Sequence, residues 1–230
     1  MAQLVVNPSD CMSNSSAATF NYGDYTPLQV HNGTAKRSFY RADISAIPPG
    51  STITRVQFSR YVSSIGTAGL THTSARVLRA MLTGTGNAAA SGDGVTHNTY
   101  DGVNGWTTVG CEGVGTDRTN PAVDGWTQTN ASDGADAVGV FIVDSNTKGA
   151  MLTFMQLTLD SYSGIARWVE YRAAGGIGAK VYASQEYATP ANRPVLTIDY
   201  TLPSSGDAGT TGAISGSLSR LGRLCRVARR

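Results

Sequence analysis

Short runs of β-branched, aromatic and aliphatic residues, each cut off by a Gly, Pro, Asn or Asp turn, recur from residue 26 to residue 202 and point to a sheet protein. Residues 27–30 run into Asn32-Gly33. Residues 37–44 run into Ile47-Pro48-Pro49-Gly50, a turn that forbids helix. Residues 52–62 alternate, but Ile53, Val56, Phe58, Tyr61 and Val62 share one face only if the strand carries a slip or bulge. Further strand signals fall at 73–81, 138–144, 151–159, 167–171, 180–183 and 195–202, with 138–144 and 151–159 reading as buried strands. Some ten strands and no convincing internal helix predict an all-β, two-sheet antiparallel β-sandwich.

Residues 1–16 read as an N-terminal arm or first edge strand, Leu4-Val5-Val6 followed by a polar stretch. Residues 84–136 are Gly-, Asn- and Asp-rich and predict short strands joined by decorated turns. Within them Asn104-Gly105-Trp106-Thr107 and Asp124-Gly125-Trp126-Thr127 look like two copies of one turn-into-strand device. The body, 17–203, is a single β domain by length. Charged residues make up only 15%, against a usual ~25%. Such a weakly charged body gives little reason to expect nucleic-acid binding. No apolar run approaches the ~20 residues of a membrane span. Met1–Val6 lacks the basic and apolar regions of a signal peptide, so synthesis in the cytosol is expected. Cys11, Cys111 and Cys225 form neither a disulfide framework nor a metal pattern.

Charge is distributed unevenly. Residues 1–203 carry 13 basic and 15 acidic side chains, whereas 204–230 carry five arginines and only Asp207. A Ser/Gly/Thr-rich linker leads into this terminus. On a helical wheel Ile214, Leu218, Leu221, Leu224, Cys225 and Ala228 fall within an arc of roughly 120°, with all the arginines outside it. A solvated tail, a nucleic-acid or membrane patch, and a docking segment are the three readings. The regular stripe favours docking by a short C-terminal amphipathic helix or arm. The candidate docking residues are Ile214, Leu218, Arg220, Leu221, Arg223, Leu224, Arg226 and Arg229.

Two segments carry a family resemblance. Arg37-Ser38-Phe39-Tyr40-Arg41-Ala42-Asp43-Ile44-Ser45, before the Pro48-Pro49-Gly50 turn, resembles the early signature of DNRLRE-type domains. Asn192-Arg193-Pro194-Val195-Leu196-Thr197-Ile198-Asp199-Tyr200 resembles the same family's last strand. The family favours Phe where Ala42 stands, and 84–136 match it poorly. The resemblance implies a jelly-roll type of sandwich. It also implies a non-catalytic module of the kind found beside polysaccharide-active enzymes, on cell surfaces and in phage particles. Arg37, Arg41 and Asp43 suggest a charge pair that sets register.

Catalytic motifs are missing from the sequence: no nucleophile elbow, phosphate loop, dinucleotide fingerprint or zinc-protease helix occurs. His31, His72 and His97 are isolated, and Glu112, Glu170 and Glu186 sit in no acid–base pattern. Asp101, Asp124, Asp133 and Asp136 belong to Asp-Gly turns that need no calcium. No enzyme activity, cofactor or metal is expected. Trp106, Trp126 and Tyr100 are candidate glycan-stacking residues, although a Trp after a Gly turn is as often a core plug. The leading expectation is a structural or decoration component of a phage-like particle, located in the virion. Its termini would fasten it to capsid proteins or to sister subunits in a homo-oligomer. A carbohydrate-binding or adhesion module that grips surface glycans is the alternative.

Overall fold

The computed structural model describes residues 1–31, 35–66, 71–90, 93–129, 137–174 and 178–203. The chain opens with β1 (Ala2–Val6), β2 (Ser9–Asn14) and the two-residue β3 (Phe20–Asn21). Next come β4 (Pro27–His31), β5 (Lys36–Asp43), β6 (Thr52–Ile65) and β7 (Thr71–Arg76). A long excursion carries β8 (Ala89–Ala90) and the one-turn helix α1 (Pro121–Asp124) before β9 (Trp126–Thr129) and β10 (Gly139–Asp144). Helix α2 (Gly149–Ser161) leads to β11 (Ile165–Ala174), β12 (Ala179–Ala183) and β13 (Val195–Thr201).

All pairings between these strands are antiparallel, in the order β1-β13-β6-β12-β4-β5-β11-β7-β9. β10 takes the opposite edge of β6, and β2 the opposite edge of β5. Two strands change partner along their length. β6 pairs first with β13 and then with β12, and β5 pairs with β4 only at His31–Lys36 before β11 takes over. Changing partners curls the sheet into a half-barrel around its core. The all-β expectation stands.

The slip foreseen in β6 is present. Asp199 pairs with Arg55 but Tyr200 with Ile53, so Thr54 bulges from the ladder and bonds the Asp199 carbonyl at 3.1 Å. The bulge brings Ile53, Val56, Phe58 and Val62 inside together, and Tyr61 remains half-buried on the other face. Tyr40, Phe58 and Trp168 meet in the core with ring centroids 5.0–5.2 Å apart. Trp126 and Phe154 close that group from one side.

Residues 151–159 correct the sequence reading: they are helix, not strand. Met151, Phe154, Met155 and Thr158 are spaced three, four and seven apart and form the buried face. Met, Leu and Gln also lose little rotamer freedom in a helix compared with β-branched residues. The helix ends where Tyr162 and Gly164 both donate to the Thr158 carbonyl, at 3.1 and 3.2 Å. Gly164 has φ +71°, and a Cβ there would lie 2.7 Å from the Ser45 backbone, so glycine is required. Ser9–Asn14, the polar part of the expected arm or edge strand, is strand β2, with Cys11 and Met12 buried on its two faces.

A second, smaller core lies on the outer face of β2, β5, β11 and β7. There Cys11, Phe39, Ala75 and Val169 are covered by Met81, Val95, Trp106 and Cys111 from the long excursion. Asn21 ties that excursion down by donating to the Thr83 and Val95 carbonyls and accepting from the Gly23 and Gly86 amides.

Candidate interaction surface

The aromatic residues singled out for glycan stacking are packing residues. Trp106 is 6% exposed, stacks on Phe39 at 5.7 Å and donates its indole N–H to the Thr96 carbonyl at 3.2 Å. Trp126 is 3% exposed, against Phe154 and Trp168. Neither presents a face on which a sugar ring could lie. This corrects the stacking expectation: the Gly turn before each Trp delivers it into a core. Tyr100 is half-buried against Trp106 at 5.6 Å, with the Arg79 guanidinium 5.7 Å from its ring. The docking residues Ile214, Leu218, Arg220, Leu221, Arg223, Leu224, Arg226 and Arg229 lie outside the described residues, as do Cys225, Asp133 and Asp136.

The ionisable groups are tied into structure. Glu170 and Arg60 form an ion pair with both side chains fully buried, and Ser74 donates to the second Glu170 oxygen at 3.2 Å. Burial alone would depress the Arg60 pKa; the Glu170 charge, with Tyr182 and Tyr40 nearby, outweighs it and leaves the pKa raised. A carboxylate so held is closed to substrate. His72 Nδ1 lies 3.0 Å from the Tyr182 hydroxyl. Glu112 pairs with Arg37. Burial and the Arg37 charge push the neighbouring His97 below its ordinary pKa. Burial pushes both described thiols, Cys11 and Cys111, upward and away from nucleophilic thiolate.

The register pair imagined among Arg37, Arg41 and Asp43 does not form. Arg37 goes to Glu112, Asp43 caps the Ser45 amide at 2.9 Å, and Arg41 faces Arg167. Asp101 accepts from the Val103 and Asn104 amides, which is turn chemistry as read.

The largest departure from an ordinary surface is β10. Its inward residues, Phe141 and Val143, enter the core, while outward Val140 and Ile142 are 62% and 50% exposed and Val138 just before them is 58% exposed. Tyr61 stands opposite Val140, and its ring lies 6.1 Å from that of Tyr187, which widens the apolar patch. Among the described residues β10 pairs with β6 alone. The stretch Gly139–Val143 bears no charge, and the carboxylate of Asp144 is held by Arg55 and Gln57. The result is an uncharged, strand-forming edge beside an exposed apolar stripe. Sequence reasoning marked 138–144 as a buried strand because both faces of Val-Gly-Val-Phe-Ile-Val are apolar. Only the tertiary structure shows that one of those faces is left uncovered.

An open groove of about 430 Å³ lies between α2 and the start of β6, lined by Ile53, Leu152, Leu157 and Asp160 among others. It adjoins the chain's exit from the body, because Thr201 pairs with Thr52. None of the described helices is long and apolar enough to cross a membrane. In comparisons with known proteins, no family model and no curated protein matches the chain.

Proposed function

We propose that the chain is a non-catalytic structural subunit, a decoration protein of a phage-like particle, which joins a second copy of itself through β10. The observation that carries this reading is the exposed stripe Val138, Val140 and Ile142 along a strand that pairs, among the described residues, with β6 alone. Natural sheet edges of this kind are usually blunted by lysine, proline or a bulge, and β10 has none of these. An exposed apolar patch marks an interaction site.

The stripe suits an uncharged strand-forming partner, and β10 of another copy meets that description. The arginine-rich 204–230 does not. Antiparallel pairing about a two-fold axis places the same residues on both sides of the contact. A pair of six-residue strands falls short of the ~1,200 Å² typical of a stable interface. Each contact is therefore weak alone and gains from repetition across a shell. In this proposal 204–230 is the second fastener, to capsid protein, and the location is the virion. The proposal extends to a DNRLRE-type jelly roll, in which β1-β13-β6-β10 and β2-β5-β11-β7-β9 would be the two halves of the one curled sheet. The alternative glycan-binding reading is left without its two tryptophans.

Sedimentation velocity tests the assembly. The sedimentation coefficient of the native chain should rise with concentration, and Val140→Lys combined with Ile142→Lys should hold it at the monomer value with unchanged circular dichroism. A native chain that stays monomeric throughout its soluble range, or a double variant that still associates, would falsify the reading.

A further inference from the structure

The long excursion meets the outer face of the sheet at one charged point. Gly110 and Cys111 have φ +71° and +64° there, two successive left-handed residues of which the second is a buried cysteine. Such a backbone persists only where its surroundings dictate it. The sharp turn sets Glu112 against Arg37 of β5, with which it forms an ion pair. It also sets Gly110 against the Arg37 guanidinium and the His97 imidazole. A Cβ at Gly110 would overlap Arg37 Nη1 and lie 2.7 Å from His97 Cε1, so both basic side chains occupy the space that a side chain there would fill. The Gly110 amide donates to the His97 carbonyl at 2.7 Å.

With His97 uncharged the point is balanced, Arg37 against Glu112. Arg37 Nη1 and His97 Nδ1 are both buried and have no hydrogen-bond partner among the described residues. A protonated His97 makes two cations against one carboxylate, and its Nδ1–H has no acceptor there. Burial and the Arg37 charge both resist that proton. Only Glu112 favours it, and the Glu112 side chain is 52% exposed, so solvent screens its charge. Behind Arg37 stand the Cys111 thiol, Arg118 and Tyr171 of β11, the Arg118 guanidinium donating to the Tyr171 hydroxyl at 2.9 Å. The turn at 15–18, whose Ala18 carbonyl accepts the Asn98 amide at 3.2 Å, has no titratable group.

We propose that His97 is an acid-sensitive latch: its protonation frees residues 97–112 from β5 and bares the outer apolar face of β2, β5, β11 and β7 beneath them. While the latch is closed, Trp106 of this segment stacks on Phe39 and helps to cover Cys11 and Val169. In the freed segment His97 titrates near its ordinary ~6.5. The closed state therefore keeps its full stability above that value and loses it as pH falls below. Asp10 acts in the opposite sense, because its buried carboxyl makes the fold as a whole firmer toward acid. Local opening is thus separable from unfolding. The latch does not depend on assembly through β10.

Amide hydrogen exchange of the full chain between about pH 7.5 and pH 5, corrected for the intrinsic rates, provides the test. Protection at Asn98 and Gly110 should fall severalfold toward acid, and by no more than about thirtyfold, the limit set by an open-state pKa near 6.5. Protection at Trp168 and Glu170 in β11 should not fall. The change should level off where the His97 imidazole of the folded chain titrates, read by NMR and resolved from His31 and His72. His97→Gln should leave protection at Asn98 and Gly110 flat over this range. Should that variant fail to fold, Glu112→Gln serves in its place: it removes the one charge that favours the His97 proton and should deepen the fall. Level protection in the native chain, a fall that persists in His97→Gln or is lost in Glu112→Gln, or one that spreads equally to β11 would overturn the latch.

Discussion

Asp10 lies buried on β2, with Oδ2 accepting the Gln185 amide at 2.9 Å and Oδ1 lacking a hydrogen-bond partner among the described residues. Burial pushes its pKa well above the usual carboxylate value; the Gln185 bond opposes this, and the Glu186 charge adds to it. In the unfolded chain the same group titrates near ~3.9. Between those two values the folded state holds a proton that the unfolded state has lost. Stability therefore falls as pH rises from about 4 toward the folded pKa. Asp10→Asn, which keeps the shape and removes the charge, should flatten this dependence and stabilise the chain at neutral pH by about 1–3 kcal/mol. Melting native and variant chains between pH 4 and 8 checks it: the two curves converge at the acid end and separate as pH rises. Neither the burial of Asp10 nor the facing of Arg41 and Arg167 was legible in the sequence, since both depend on partners more than thirty residues away.

Among the elements, α2 and β10 were read least well, and for related reasons. Met-Leu-Thr-Phe-Met-Gln-Leu-Thr-Leu is apolar on nearly every side, so Leu152, Leu157 and Leu159 blur the three-four spacing of Met151, Phe154, Met155 and Thr158. The helix is held by that face against β6 and β11, and by Gln156, which accepts the Ile53 amide at 2.8 Å. Phe154→Ala should cost about 3–5 kcal/mol, read from the urea midpoint at unchanged slope, because the ring sits fully buried against Trp126 and Trp168. In β10 the same ambiguity hid an exposed face. The β6 strand was read more closely, because its odd spacing of Ile53 and Val56 announced the bulge that the ladder with β13 contains.

For the whole molecule, the described body closes before the basic terminus begins. β13 completes its ladders with β1 and β6 at Thr201, and Pro203 rests beside Gly50. A chain ending at Pro203 should therefore melt within about 2 °C of the full one. In the proposed assembly it should also lose co-sedimentation with the particle; retention of co-sedimentation would remove 204–230 from the proposed anchoring. By itself the sequence determined the all-β class, the positions of most strands, the bulge in β6 and the charge asymmetry between body and terminus. Those features follow from residue alternation, turn chemistry and charge, which act over a few neighbours. The tertiary structure alone decided which apolar strand face stays open to solvent, which tryptophans are buried, and which arginines meet without a counter-charge. Each of these depends on segments far apart in the chain being brought together when the sheet curls.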